Sequence, residues 1–114
     1  MKSVKLIHDN LKFIKACENC NCSIRIIRED ALKFIKNSSD RIWDIIFIDP
    51  PYKIDEKIMT DIFEILSSGI IINQSSVIVY EYFFKRDVSY EIKSMKVLKK
   101  SYFGDKIVSY ISLL

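Results

Sequence analysis

Glycine and proline are both scarce in this chain, with two of each among 114 residues. A collagen-like repeat needs glycine at every third position, and disordered chains combine high polarity with few apolar residues. Neither fits a sequence that is 49% hydrophobic and 29% charged. Long apolar runs are also missing: none approaches the roughly 18 residues of a membrane span, and no signal-peptide pattern opens the chain. Nor does one sign of charge dominate. The formal net charge of +3 permits a nucleic-acid partner without demanding one. The length implies one small domain, residues 1–114, long enough to bury a core.

Histidine is limited to His8, and the three cysteines lie together in "CENCNC" as Cys17, Cys20 and Cys22. An odd, clustered set without a secretory signal suggests reduced thiols in the cytoplasm. The gap between Cys17 and Cys20 matches that of zinc knuckles, but zinc takes four ligands and no second Cys/His cluster exists. No metal site is expected.

What is present is alternation. Val4, Ile7, Leu11 and Ile14 recur at helical spacing, which predicts an amphipathic helix of about three or four turns. "SIRII" (Ser23 to Ile27) reads as a short strand. "EDALKFIKN" reads as a short helix with Asp30 placed to cap it. "WDIIFID" (Trp43 to Asp49) is apolar nearly throughout, the pattern of a strand buried on both faces in a parallel sheet. "DEKIMTDIFEIL" (Asp55 to Leu66) predicts an amphipathic helix with Ile58, Ile62 and Leu66 in register and Gly69 as its stop. "SVIVYEYF" (Ser76 to Phe83) is another buried strand. "YEIKSMKVLKKSYF" and "KIVSYISLL" are two strands joined around "FGDK". Strand–helix–strand units followed by a hairpin predict an α/β fold, mainly a parallel sheet with a C-terminal antiparallel hairpin. Lys96, Lys99 and Lys100 form a basic run on that hairpin, read either as a solvated face or as a nucleic-acid contact.

The most informative stretch is "WDIIFIDPPYK" (Trp43 to Lys53). Ligands of open α/β sheets bind at the carboxyl ends of the strands, which is where Asp49 falls. Two prolines fix φ twice, remove two backbone donors and keep Asp49 out of the α region. The expected result is a rigid, extended loop with outward carbonyl acceptors. A carboxylate, a fixed carbonyl and the Tyr52 ring can hold a flat molecule bearing an amino group: the amine donates to Asp49 and to the Pro50 carbonyl, and the ring stacks on Tyr52. The bland alternative is a proline turn with a surface acid and a packing tyrosine.

"DPPY" after an apolar strand resembles the Asp/Asn-Pro-Pro-Tyr/Phe motif of S-adenosylmethionine-dependent methyltransferases acting on exocyclic amines of bases. More closely, the chain resembles the 16S ribosomal RNA guanine-N2 methyltransferase family of the RsmD type. "IHDNLKFI", "REDALKFI", "VYEYF" and "KSYFGDKIVSYISLL" carry further, individually weaker likeness, and favour this branch over DNA adenine-N6 methyltransferases. The resemblance implies a partial Rossmann-like class I methyltransferase fold. It also implies a role in ribosomal RNA processing, with ribosomal RNA or the small ribosomal subunit as partner. Asp49, Pro50, Pro51 and Tyr52 would hold and stack a flipped base. Asp30 and Ala31 would lie near the cofactor's adenine, and Glu81 is a weaker candidate. Direct displacement makes positioning the main catalytic contribution.

Scarcity of glycine returns here as a departure from the family. These enzymes open with a strand and a glycine-rich loop that wraps the cofactor, where close backbone approach and positive φ call for glycine. Gly69 and Gly104 both follow the Asp49 motif. The chain resembles the C-terminal two-thirds of a methyltransferase domain, with weak or absent affinity for S-adenosylmethionine. A shortened gene, a second polypeptide supplying the front part and a degenerate relative all stay open, as does a non-catalytic RNA-binding remnant. A sheet edge left without its neighbour predicts self-association.

Overall fold

A computed structural model of the chain describes residues 5–7, 9–10, 24–38, 41–51, 53–83 and 94–114. Backbone contacts divide it into two units, Met1–Asp30 and Ala31–Leu114. In the first, residues 5–7, 9 and 10 are helical, within the span where a helix is expected. His8, Cys17, Cys20 and Cys22 lie outside the described residues, as does Ser23. The expected strand over "SIRII" is not observed: residues 24–28 carry no strand, although Ile24 and Ile26 are half-buried and Arg25 and Ile27 exposed. Side-chain alternation specifies an extended backbone, whereas a strand also needs a ladder partner, which one segment's sequence does not report.

The second unit opens with helix α1 (Ala31–Lys36). Strand β1 (Ile45–Ile48), helix α2 (Glu56–Ser67) and strand β2 (Val77–Phe83) follow as one strand–helix–strand unit. Strands β3 (Met95–Phe103) and β4 (Lys106–Leu113) form the closing hairpin. The four described strands run in the order β1-β2-β4-β3. β1 and β2 are parallel, with Ile46 opposite Ile78 and Ile48 opposite Tyr80. β4 lies antiparallel to both β2 and β3. The α/β class and the C-terminal antiparallel hairpin are as expected; among the described strands, the parallel part is the β1–β2 pair.

Local chemistry explains the ends of α2. The Asp55 carboxylate accepts from the Lys57 N–H at 3.0 Å, an N-cap that satisfies one of the orphan donors of the first turn. At the other end Gly69 takes φ +76° and its N–H donates to the Leu66 carbonyl at 3.3 Å, the left-handed stop that glycine suits. The buried stripe of α2 is Met59, Ile62, Phe63 and Leu66. Ile58, expected in register with Ile62 and Leu66, is instead 37% exposed; the stripe is centred between Met59 and Phe63, which leaves Ile58 on its flank.

That stripe packs on Ile78, Tyr80 and Ile111 of the sheet, with Ile71 and Ile72 completing the core and Leu32 and Ile35 of α1 at its margin. Phe63 meets Tyr80 edge-on at 5.1 Å, and Tyr80 stacks on Tyr82 at 4.7 Å. Each fully buried large side chain contributes about 1.5–3 kcal/mol. Buried Ser76 ties the entry of β1 to that of β2. Its Oγ donates to the Trp43 carbonyl and accepts from the Asn73 N–H, while Val77 N–H donates to the Asp44 carbonyl at 2.9 Å.

One expectation about β1 is corrected. The strand is shorter than Trp43–Asp49 and is not buried on both faces: Ile45 is 56% and Phe47 76% exposed. β1 is an edge of the described sheet, and only Ile46 and Ile48 pack against the core. An apolar run records the capacity to be covered on both faces, not the covering itself. Among the described residues, no helix is long and apolar enough to cross a membrane, and no group of His, Cys, Asp and Glu is placed to hold a metal ion.

Candidate functional site

Asp49 follows the last residue of β1, at the carboxyl end of the parallel pair. Ligands reach open α/β sheets at that end, because the loops there leave the strands and open a crevice. Asp49 is exposed, Pro50 half-buried and Pro51 exposed. The loop does not stay extended as expected. The Pro51 carbonyl accepts from the Ile54 N–H at 3.1 Å, turning the chain at once toward the Asp55 cap of α2. The Pro51 carbonyl is therefore committed to the turn. Tyr52 lies outside the described residues.

Asp49, Pro50 and Pro51 line a pocket of about 60 Å³ together with Tyr80, Glu81 and Lys106. This is room for roughly two water molecules. It suits a small polar group such as an amine. The pocket wall combines two carboxylates, one ammonium and the tyrosines that lead back into the core.

Lys106 was not singled out by its sequence context, and Glu81 only weakly. The antiparallel register brings them together: Phe83 of β2 pairs with Lys106 of β4, placing the lysine beside the carboxyl end of β2. Its Nζ lies 3.1 Å from Glu81 Oε1. The Lys106 pKa is raised, chiefly by its hydrogen bond and attraction to Glu81; loss of hydration opposes the rise, and the charges of Asp49 and Asp105 add less to it. The Gly104–Asp105 turn before it is a legible signal, but which strand β4 would join is not.

A larger, mostly apolar groove of about 480 Å³ runs along β1 from Trp43 to Pro51, and Ala31 also lines it. Three of the candidate positions near Asp49 thus share this groove with a candidate cofactor contact, Ala31. Its volume falls in the range of small-molecule and cofactor sites. The groove is lined mostly by apolar side chains, and Asp49 lies at its end near the smaller pocket. Asp30, the last residue of the first unit, is exposed and immediately precedes α1, at the N-cap position.

A family model described as "conserved hypothetical protein 95" matches residues 1–112. No curated protein matches the sequence. Among solved structures, the chain is similar to the "putative methyltransferase yhhF" of Escherichia coli. The TM-score is 0.73 at 15% identity, covering 94% of this chain and 55% of that one. A "conserved hypothetical protein" of Streptococcus pyogenes gives a TM-score of 0.79 at 23% identity, covering 99% and 66%. A "putative methylase" of Haemophilus influenzae gives 0.72 at 18% identity, covering 96% and 65%. At such identities the likeness establishes the fold, a Rossmann-like α/β architecture. The chain spans between 55% and 66% of the length of these three proteins.

Proposed function

Because the chain belongs to the conserved hypothetical protein 95 family, we propose that it is part of a methyltransferase and serves methylation of an exocyclic amine of a nucleic-acid base. The reading is guanine N2 in 16S ribosomal RNA, with S-adenosylmethionine as methyl donor. The observation that carries it is the position of Asp49-Pro50-Pro51: at the carboxyl end of β1, on the wall of a pocket sized for an amino group. The RNA branch rests on the sequence resemblance.

S-adenosylmethionine, when bound, supplies an electrophilic methyl group; the residues of this chain orient the nucleophile. The Asp49 carboxylate accepts one N–H of the amine and the Pro50 carbonyl accepts the other. Holding both draws the nitrogen toward pyramidal geometry and localises on it the lone pair that conjugation otherwise spreads into the ring, leaving it available to an electrophile above the base plane. The charge that develops on nitrogen as it is alkylated faces the Asp49 carboxylate, so this contact strengthens in the transition state. The proton shed by the methylated nitrogen passes from the pocket mouth to Asp49 or to water. Tyr52 is assigned the stacking role for the flipped base, and Ala31 a backbone contact to the adenine, with Asp30 beside it.

The test is transfer of labelled methyl groups to 16S ribosomal RNA by an active preparation, including any polypeptide that completes it. Label is expected in N2-methylguanine. Asp49→Ala should lower turnover by about 10²–10³-fold, the effect typical of one transition-state contact, with cofactor affinity nearly intact. Normal turnover by Asp49→Ala would overturn the assignment; label in DNA adenine instead would overturn the substrate.

A further inference from the structure

The β3–β4 hairpin ends beside the Asp49 pocket, and its tip carries two large rings in the open. Tyr102 is 69% and Phe103 64% exposed. Neither ring belongs to the core cluster, and exposed aromatic surface on an edge strand invites association. Their surroundings follow from the register. Tyr102 pairs with Ile107, which pairs with Tyr82, so its face is that of the pocket tyrosines. Phe103 pairs with Lys106, so it lies on the opposite face, that of Glu81 and Lys106.

A β-bulge between Val97 and Lys99 decides where the positive charge goes. Lys96 and Lys99 are three residues apart and would point to opposite faces of a regular strand. The extra residue in the bulge restores their phase. Lys96 pairs with Ser112 and Lys99 with Tyr110, which puts both on the face of Phe103 and Lys106. From Met95 to Lys106 the hairpin holds four lysines against one acid, Asp105. Positive charge spaced along a strand and ending in exposed rings suits a chain of phosphates with stackable bases.

We infer that the tip and outer strand of this hairpin are the contact surface for single-stranded RNA flanking the target nucleotide. Phosphates follow Lys96 and Lys99 toward Phe103 on the same face, and one base stacks on Phe103. The strand crosses the hairpin tip so that the next base stacks on Tyr102 on the other face. Lys106 faces both the pocket and Phe103, so a nucleotide next to one seated at Asp49 meets the tip directly. This rests on the RNA reading above and adds the surface that would grip the strand. Stacking tolerates any base because each has a π face, so the grip is expected to be largely independent of sequence.

The experiment measures binding of a fluorescein-labelled ten-nucleotide RNA to the whole chain by anisotropy, at several salt concentrations. Tyr102→Ala and Phe103→Ala should each weaken binding by about 5- to 100-fold, and Tyr102→Phe should bind as the wild type does. Lys99→Gln should reduce the salt slope by about 0.7. Thermal unfolding checks that the variants remain folded, as expected for exposed side chains. Wild-type binding that neither alanine variant weakens would overturn the hairpin surface while leaving the RNA reading intact. No RNA binding by the wild-type chain at micromolar concentration would overturn both. A sedimentation shift from dimer to monomer in the alanine variants, with RNA affinity unchanged, would make the surface a contact between copies and also overturn the inference.

Discussion

Lys106 Nζ lies 3.1 Å from Glu81 Oε1, linking the first residue of β4 to the pocket end of β2. The pair joins the antiparallel hairpin to the parallel part of the sheet at the place where Asp49 emerges. With side chains 52% and 35% exposed, it contributes little to stability; its consequence is to hold the lysine at the pocket wall.

The pair predicts a particular pH dependence. Glu81 is the main cause of the rise in the Lys106 pKa above its ordinary value of 10.5. A pKa raised by folding contributes stability that is complete below the unfolded value and is lost as pH climbs through the folded one. The difference in denaturation midpoint between wild type and Lys106→Met should stay constant from about pH 7 to about pH 9 and shrink only above 10.5. Urea titrations at several pH values check this; a difference that fades below about pH 9 counts against the pairing.

Ser76→Ala should be costly for a change of one oxygen atom. Ser76 is 1% exposed, and its loss leaves the Trp43 carbonyl and the Asn73 N–H without the partner they have here. About 1–3 kcal/mol of destabilisation is expected, read as a lower urea midpoint with an unchanged slope. A shift within error would mean that water replaces the hydroxyl.

The hairpin turn makes a separate demand. Gly104 takes φ +61° and Asp105 is not at positive φ, the sign pattern of a type II′ turn with glycine first. A Cβ at Gly104 would meet nothing within 4 Å, so the backbone alone opposes substitution. Gly104→Ala should therefore destabilise by about 1–2 kcal/mol, whereas Asp105→Ala should change the midpoint far less. Equal effects would show that the turn does not require the left-handed residue.

Both glycines of the chain are committed to turns: Gly69 closes α2 and Gly104 opens the hairpin. Neither precedes Asp49, where a glycine-rich cofactor loop would be expected. If S-adenosylmethionine is the methyl donor, as proposed, calorimetry on the 114-residue chain should give a dissociation constant no tighter than about millimolar, because no glycine precedes Asp49 to let backbone close on the cofactor. A micromolar constant would show that the chain grips the cofactor by another route.

Features that depend on neighbours in sequence are legible in the linear chain. Gly69 stops α2, Gly104 turns the hairpin and Asp49 ends an apolar strand, because φ preference and proline restriction act within a few residues. Pairing belongs to the tertiary structure. The exposure of Phe47 follows from β1 lying at a sheet edge, and residues 24–28 form no strand despite their alternation. Glu81 and Lys106 are 25 residues apart and meet only because β4 returns antiparallel beside β2. Lys96 and Lys99 share a face only because one residue bulges between them. Strand order and register are set by which backbone lies alongside which, and a linear pattern of side chains constrains that choice without making it.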